Sequence, residues 1–227
     1  MNKTPFIQAA GVLDLEDAIT LVDAGFTYLG YPLELDFHKE DMTRSEVKAV
    51  ISALTNKCDH VIITYLSCAD SIIELLNFTG TDWVQLHGSI SIKEIKKLRD
   101  IRPTTKIIKS LVIGQSTQSE LNYTVATLSQ YVDAFITDTF DVSTGASGAT
   151  GKTHDWNISK NFVEISSKPI IIAGGLNHEN LQAAIETTNA WGVDVHTGIE
   201  SDDGRKDSAL SKAFVKIARE SLSKLHA

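Results

Sequence analysis

The sequence predicts a single (β/α)8 barrel, and three observations carry that prediction. The chain has 227 residues, within the range of about 200–250 residues in which an α/β barrel forms as one unit. Short β-branched or aromatic runs alternate along the whole chain with stretches of helical period, in eight units. The last unit ends in a helix and no Gly-x-Gly-x-x-Gly follows the first run, which favours a closed barrel over an open doubly wound sheet. We therefore expect residues 1–227 to form one domain.

The predicted strands are nearly continuous apolar runs, as expected for parallel strands that are covered on both faces. Their starts are separated by 21 to 35 residues, which leaves room for a crossover helix each time. The eight runs are Phe6–Ala10, Thr27–Tyr31, His60–Leu66, Trp83–His87, Lys106–Leu111, Ala134–Thr139, Pro169–Ala173 and Gly192–Thr197.

Helices between these strands carry their own start and stop signals. The segments Thr43–Glu46 and Ser91–Glu94 both have the Ser/Thr-x-x-Glu pattern of a capping box, which predicts a helix start at each. Gly25 and Gly80 stand where helices need a left-handed C-terminal residue.

Composition excludes several classes of protein. Hydrophobic residues make up 42% of the chain and charged residues 22%, as in globular proteins. A net charge of −8 argues against general nucleic-acid binding, which needs clustered Lys and Arg. No apolar run is long enough to span a membrane and no signal segment is visible, so a cytoplasmic protein is expected. The only cysteines, Cys58 and Cys68, support neither a disulfide framework nor a zinc site. Nothing in the sequence predicts a cofactor.

In such a barrel the active site is built where the strands end and the following loops begin. This rule selects a limited set of positions from the many polar residues of the chain. They are Ala10, Gly11, Glu34, Asp36, His38, Ser67, His87, Lys109, Asp138, Gly174, Gly175, His196, Thr197 and Gly198.

Glycines after the last two strands predict a phosphate site. Gly174 and Gly175 follow the seventh run, and Thr197 and Gly198 end the eighth. Glycine lets backbone N–H groups approach an anion closely, and these two loops form the usual phosphate site of the fold. The segment Ala146–Thr153 matches a loose nucleotide P-loop, but it does not join a strand directly to a helix, so a loop over the barrel mouth is the better interpretation.

Several motifs together resemble the phosphoribosylanthranilate isomerases, and the resemblance covers nearly the whole chain. The motifs keep the order and spacing of that family. They are Asp14–Ala18, Val84–Gly88, Asp138-Thr139, Gly151–Trp156, Gly174–Asn180 and Val193–Glu200.

This resemblance implies an Amadori rearrangement, in which an aminoaldose phosphate opens and becomes an aminoketose. The reaction needs an acid for the furanose ring oxygen and a base for the C2′ proton. By motif match, Asp138 takes the place of the general acid. His87 and Asp36 are the further catalytic candidates, while Gly11, Lys109 and His196 are expected to line the substrate. The expected partner is a small phosphorylated sugar, with no nucleic acid, membrane or metal involved.

The chain departs from the family pattern at the end of the first strand. The family has Lys-x-Cys-Gly-x-Thr there, and this chain has Gln8, Ala10 and Leu13 in place of the lysine, the basic cysteine and the threonine. Asp36 matches the position of an arginine that binds the anthranilate carboxylate. Glu34, Asp36, His87 and His196 are candidates for a substitute base, and the sequence does not choose among them.

Three functions therefore remain open at this stage. The chain is a divergent phosphoribosylanthranilate isomerase, or an isomerase, epimerase or lyase of another phosphorylated sugar, or a non-catalytic protein that binds phosphometabolites. In the second case Asp36, His87, Asp138 and His196 are residue types that could hold a divalent metal. The fold alone does not decide, because this barrel hosts many chemistries. The oligomeric state is not readable from the sequence.

Overall fold

Parallel strands close into a ring in the structure, a computed structural model that describes residues 5–35, 40–141, 146–147 and 153–225. Within these ranges the strands are β1 (Phe6–Ala10), β2 (Tyr28–Pro32), β3 (Asp59–Thr64), β4 (Trp83–Leu86), β5 (Lys106–Ile113), β6 (Ala134–Asp141), β7 (Ala146–Ser147), β8 (Ile170–Ile172) and β9 (Gly192–Val195). All but β7 belong to the ring. β1 lies between β2 and β9, and the pairing of β5 with β6 closes the circle. The two-residue β7 pairs antiparallel with the end of β6.

Helices cover the outside of the ring. They are α1 (Leu15–Ala24), α2 (Arg44–Ala53), α3 (Ala69–Thr79), α4 (Ile92–Ile101), α5 (Gln118–Leu128), α6 (Trp156–Ile165), α7 (Leu181–Thr188) and α8 (Ser208–Leu225). The predicted (β/α)8 barrel is confirmed, and each predicted strand ends within two residues of the observed one. No helix in the described ranges is both long and apolar enough to cross a membrane.

Helix ends follow the expected local chemistry with one exception. Gly25 and Gly80 both adopt the left-handed conformation as C-caps, and Thr43 forms the full capping box of α2. Ser91 also caps α4 through the backbone N–H of Glu94. The predicted second box is nevertheless wrong in its other half, because the Glu94 carboxylate accepts a hydrogen bond from the backbone of Ala69 at 2.8 Å.

Side chains on each barrel strand alternate between two apolar regions. One lies between the strands and the helices and contains most of the buried residues. The other fills the barrel interior and includes Phe6, Val61, Ile108, Ala134, Ile136, Ile171 and Ala173. This alternation decides which polar side chains point into the barrel and which point towards the helices.

Four aromatic residues close the amino end of the barrel interior. We call this cluster the aromatic plug (Phe6, Tyr28, Trp83 and Trp191). The ring centroid of Phe6 lies 3.9 Å from that of Tyr28 and 5.4 Å from that of Trp191, and Tyr28 and Trp83 are 5.0 Å apart. Because the plug fills one end, the barrel is open to ligands only from the carboxyl end of its strands.

A polar layer lies above the aromatic plug. The side-chain amide of Gln8 donates to Oε1 of Gln85 at 3.1 Å, and the amide of Gln85 donates to Oγ of Ser110 at 3.5 Å. Along β1 the inward residues are therefore Phe6 in the plug, Gln8 in the polar layer and Ala10 at the mouth. The barrel becomes progressively more polar towards the end where such barrels hold their active sites.

Candidate active site

Three polar side chains meet where β4, β5 and β6 end. His87 follows β4, and its Nδ1 lies 3.1 Å from Oγ of Ser110 and 3.9 Å from Oδ2 of Asp138. His87 is buried, and its ring centroid lies 4.9 Å from that of Tyr65. The structure thus brings together two of the predicted catalytic residues, His87 and Asp138, with Ser110 as a third polar neighbour.

Asp138 occupies an environment that favours its neutral form. Its side chain is only 15% exposed, and this burial raises its pKa from 3.8 to about 7, although the backbone N–H of Thr139 donates to Oδ1 at 2.7 Å and partly offsets the rise. A carboxyl group with such a pKa carries a proton in a large fraction of molecules near neutral pH. It can therefore donate that proton to a substrate oxygen.

A second carboxyl group, on Asp194 of β9, faces the same interior. Asp194 is 8% exposed, and its Oδ1 has no hydrogen-bond partner among the described residues. Its pKa is raised to about 7, first by burial and then by the charge of Asp138, while the amide of Gln8 and the ammonium of Lys206 lower it in part. Two carboxyl groups that disfavour each other's charge share their protons, so one is an acid when the other is a base.

The glycine turns after β8 and β9 pack directly against each other. Gly174 and Gly175 have φ angles of 96° and 61°, in the left-handed region that favours glycine. A Cβ atom at Gly198 would overlap the carbonyl of Leu176, so the two loops touch backbone to backbone. Together with Thr197, which begins a short 3-10 helix at Thr197–Ile199, these turns form one continuous glycine-rich surface beside the mouth.

The first of these turns is also anchored to the end of β6. A Cβ atom at Gly174 would overlap Oγ1 of Thr139, and that hydroxyl lies 2.9 Å from Nδ1 of His154. The other ring nitrogen of His154 lies 2.6 Å from Oγ of Ser159. The turn therefore sits against the residue that follows Asp138, which places the glycine-rich surface and the acidic side chain on neighbouring strands.

His196 lies over the end of β1. Gly11 has a φ of 70°, and a Cβ atom there would overlap the His196 ring. Nε2 of His196 lies 3.4 Å from Oε1 of Glu200, which also accepts from Nζ of Lys206 at 2.7 Å. Burial, followed by the nearby Lys206 ammonium, lowers the pKa of His196 to about 3. At neutral pH this imidazole is therefore uncharged.

Lys109 lies beside His87 and Ser110, on the outward face of β5. It shares the outward face of β5 with Ile107 and Leu111, which pack in the region under the helices. Its ammonium donates to three backbone carbonyls, of Leu86, Gly88 and Ser110, at 3.0–3.2 Å. Burial lowers its pKa to about 8. Lys109 thus clamps the ends of β4 and β5, and it lines a cavity together with His87 and Ser110.

Two further expectations concern Asp36 and the loop containing Ala146–Thr153. Asp36 and most of that loop lie outside the described residues. Among the described residues no three His, Cys, Asp or Glu side chains gather closely enough to hold a metal ion. His87, Asp138 and His196 thus do not form a metal-binding group with one another.

Sequence reasoning missed Asp194, Gln8 and Ser110. All three are inward residues of their strands, and a signal was available in the two-residue alternation. Asp194 lies between two apolar residues, Val193 and Val195, that face the helices. A charged residue inside an apolar strand run is either on the inward face near the mouth or a strong destabilising element.

The fold and the polar mouth together define a TIM-barrel enzyme whose chemistry lies at the carboxyl ends of its strands. Comparison with known proteins makes this class specific. The sequence pattern of the N-(5′-phosphoribosyl)anthranilate (PRA) isomerase family matches residues 7–217. The chain is 32% identical over 221 residues to N-(5′-phosphoribosyl)anthranilate isomerase 2 of Methanosarcina mazei, an alignment that covers 96% of each protein.

Solved structures agree in fold. A phosphoribosyl anthranilate isomerase from Thermotoga maritima superposes with a TM-score of 0.80 at 23% identity, covering 96% of this chain and 100% of that one. A second isomerase structure, in complex with reduced 1-(o-carboxyphenylamino)-1-deoxyribulose 5-phosphate, gives a TM-score of 0.78 at 21% identity, with the same coverage. The chain belongs to the PRA isomerase family, a family of isomerases in tryptophan biosynthesis.

Proposed function

We propose that this protein catalyses the Amadori-type isomerisation of N-(5′-phosphoribosyl)anthranilate. In this reaction the furanose ring of an N-linked aminoaldose opens and an aminoketose phosphate forms. Membership of the family supports the reaction type. The single observation that carries the proposal is the buried carboxyl of Asp138 at the barrel mouth, whose raised pKa suits a proton donor at neutral pH.

Asp138 is the proposed general acid. Opening the furanose breaks the bond between C1′ and the ring oxygen, and a proton on that oxygen makes it a better leaving group. A carboxyl with a pKa of about 7 is protonated often enough to supply it, and its conjugate base is then stable enough to persist. His87, with Nδ1 3.9 Å from this carboxyl, is proposed to orient it and the substrate.

The glycine-rich surface of Gly174, Gly175, Thr197 and Gly198 is the proposed phosphate site. These loops lie one and two strands away from β6 in the ring. A phosphate held there would leave the ribose extending across the mouth towards Asp138. Backbone N–H groups suit this role in an acidic protein, because they bind an anion without a cluster of basic side chains. Gly11 and His196 are proposed to line the ribose from the opposite side.

The other end of the substrate site is proposed to differ from the family pattern. Ala10 ends β1 where the family has a cysteine base, and a methyl group cannot accept a proton. Gln8 stands in place of the family lysine and belongs to the polar layer. Loss of a base without replacement costs about 10²- to 10⁴-fold in rate, so an active enzyme must take the C2′ proton with another group.

The proposed function is tested with freshly prepared N-(5′-phosphoribosyl)anthranilate and purified protein. We expect formation of 1-(o-carboxyphenylamino)-1-deoxyribulose 5-phosphate, and growth of a tryptophan auxotroph that lacks the isomerase. Asp138→Asn should reduce kcat at least 100-fold in the same assay. A wild-type protein that turns over a different sugar phosphate, but not this one, would reject the proposed substrate and retain the fold and phosphate site.

A further inference from the structure

Asp194 is a buried carboxylate whose surroundings leave one of its oxygens without a hydrogen-bond donor. Its neighbours on β9, Val193 and Val195, pack under the helices, so Asp194 points into the barrel. The side chain is 8% exposed, and Oδ1 has no partner in the part of the chain that the structure describes. Oε1 of Gln8, its register partner on β1, is equally unpartnered. Buried acceptors of this kind are costly unless a ligand or a proton supplies the missing donor.

Asp194 and Asp138 face each other across one strand. Ile136 of β6 pairs with Ile171 of β8, and Ile171 pairs with Gly192 of β9. Two residues further along each strand this register leads to Asp138, Ala173 and Asp194. Ala173 has only a methyl group, so no bulky side chain separates the two carboxyls. Their electrostatic effect on each other is already visible, since the charge of Asp138 raises the pKa of Asp194.

On the β1 side, Asp194 pairs with Gln8. Ala10 follows Gln8 on the inward face of β1, one step nearer the mouth. A Cβ atom at Gly30 of the next strand would lie 2.8 Å from Cδ1 of Ile63 and 3.2 Å from the Cα of Ala10, so the Ile63 side chain fills the space that Gly30 leaves. The position that holds the basic cysteine in the family therefore offers a methyl group here and no proton acceptor.

We infer that Asp194 is the base that removes the C2′ proton, taking over the task that the residue at position 10 cannot perform. This inference rests on the proposed function and adds a catalytic residue to it. The mouth then contains both halves of the proton chemistry, with Asp138 as the acid and Asp194 as the base on either side of Ala173.

The proposed steps balance in atoms and charge. Asp138 gives its proton to the ring oxygen as the C1′–oxygen bond breaks, and the nitrogen lone pair forms a C1′=N bond. Asp194 takes the C2′ proton, the electrons of that C–H bond form C1′=C2′, and the C1′=N π electrons return to nitrogen. The resulting enol loses its hydroxyl proton while C1′ gains one, giving the ketone. Between the two steps both carboxylates are ionised, and the positive charge of the C1′=N iminium compensates one of them. The pair again holds one proton once Asp194 has taken the C2′ proton.

His196 is the competing base, because its uncharged ring also lies at the end of β1. Its ring lies against Gly11, and its Nε2 lies 3.4 Å from Oε1 of Glu200. The charges of Asp138 and Lys206 both act on Asp194, and His87 faces Asp138 at 3.9 Å. The test therefore compares Asp194→Asn with His196→Gln, and with Asp59→Asn as a matched control, since burial also raises the pKa of Asp59 but this residue lies at the amino end of β3.

We expect Asp194→Asn to lower kcat by about 10²- to 10⁴-fold with KM changed less than about threefold. His196→Gln, which alters a proposed ribose contact, should raise KM more than it lowers kcat, and Asp59→Asn should stay within about tenfold of wild type in both. Trapping the open-chain intermediate with cyanoborohydride shows which step of the reaction is blocked in each variant. Asp194→Asn should still open the ring, so the reduced open-chain amine accumulates, whereas Asp138→Asn should give little of it.

A measurement without turnover separates a catalytic pair from a merely structural carboxyl. Carboxyl ¹³C NMR of the wild-type protein should show Asp138 and Asp194 titrating in two coupled steps, and Asp194→Asn should lower the pKa of Asp138. Wild-type activity that survives in Asp194→Asn, or independent titration of the two carboxyls, overturns the inference and leaves the proposed function intact. A wild-type protein that does not isomerise the substrate would reject both the inference about Asp194 and the proposed function.

Discussion

Replacing Asp138 with asparagine should stabilise the protein while it destroys the activity. A pKa of about 7 in the folded state, against 3.8 in the unfolded chain, means that the native state binds more protons between these values. Stability is therefore full at low pH and falls as the pH rises towards 7. The change corresponds to about 4 kcal/mol for a fully buried group. Because the side chain is 15% exposed at an open mouth, we expect the free energy of unfolding of the wild type to fall by about 1–3 kcal/mol over this pH range.

Asparagine has the same shape as aspartate and cannot ionise, so it avoids this cost. The free energy of unfolding, from urea titrations at pH 5 and pH 8, should show Asp138→Asn gaining on the wild type as the pH rises. Asp133→Asn serves as the opposite control. Burial raises the pKa of Asp133, but the backbone of Ile107 and the guanidinium of Arg99 lower it more, to below its ordinary value. That variant should lose stability relative to the wild type by the same amount at pH 5 and at pH 8, because both lie above the ordinary pKa of 3.8, and the loss should shrink only at pH values below 3.8.

An equal difference in the free energy of unfolding between Asp138→Asn and the wild type at both pH values would contradict this prediction. Such a result would mean that the carboxyl is fully ionised in the native state at pH 5, and so is solvated. It would then be a poor proton donor at neutral pH, and the proposed role of Asp138 as the general acid would be rejected as well.

Three further substitutions test the site and its scaffold. Gly198→Ala should weaken the binding of inorganic phosphate at least tenfold, as measured by calorimetry. Gly204→Ala is the control, because a Cβ atom added there meets nothing within 4 Å. It should cost about 1 kcal/mol in stability through the positive φ of Gly204 and leave phosphate binding unchanged. Lys109→Met should reduce the free energy of unfolding by about 2–4 kcal/mol, because three hydrogen bonds are lost, and KM should stay within about twofold of the wild-type value. A tenfold rise in KM at unchanged stability would instead make Lys109 a substrate contact. Thr43→Ala should cost about 1 kcal/mol as a lost N-cap, and Ser52→Ala, on the exposed face of the same helix, should cost under half of that in the same urea titration.

The fold was readable from the sequence because it depends on patterns that extend over many residues. Each strand is an apolar run and each helix has its own cap, so errors at single residues do not change the architecture. The failure at Ser91 shows the limit of local patterns. Glu94 has the right spacing for a capping box, but its carboxylate is taken by the backbone of Ala69, which lies 25 residues earlier in the chain.

The site was only partly readable, and the reason is the two-residue period of strands. A strand covered on both faces is apolar at every position, so its sequence does not show which residues point inwards. On β5, for example, the inward residue is Ser110, while Lys109 on the outward face reaches backbone carbonyls at the ends of β4 and β5. Asp194 differs, because its charge between two apolar residues was a signal that went unused. An offset of one residue moves a side chain from the barrel interior to the helical layer, and only the register resolves it.

The aromatic plug gives the protein an internal optical reporter that is separate from its chemistry. Two of the three tryptophans of the chain, Trp83 and Trp191, belong to the plug, at the opposite end of the barrel from Asp138. Their fluorescence should respond when the ring of strands opens, and remain steady when a ligand fills the mouth. Unfolding can thus be followed through this fluorescence, without a contribution from ligand bound at the mouth.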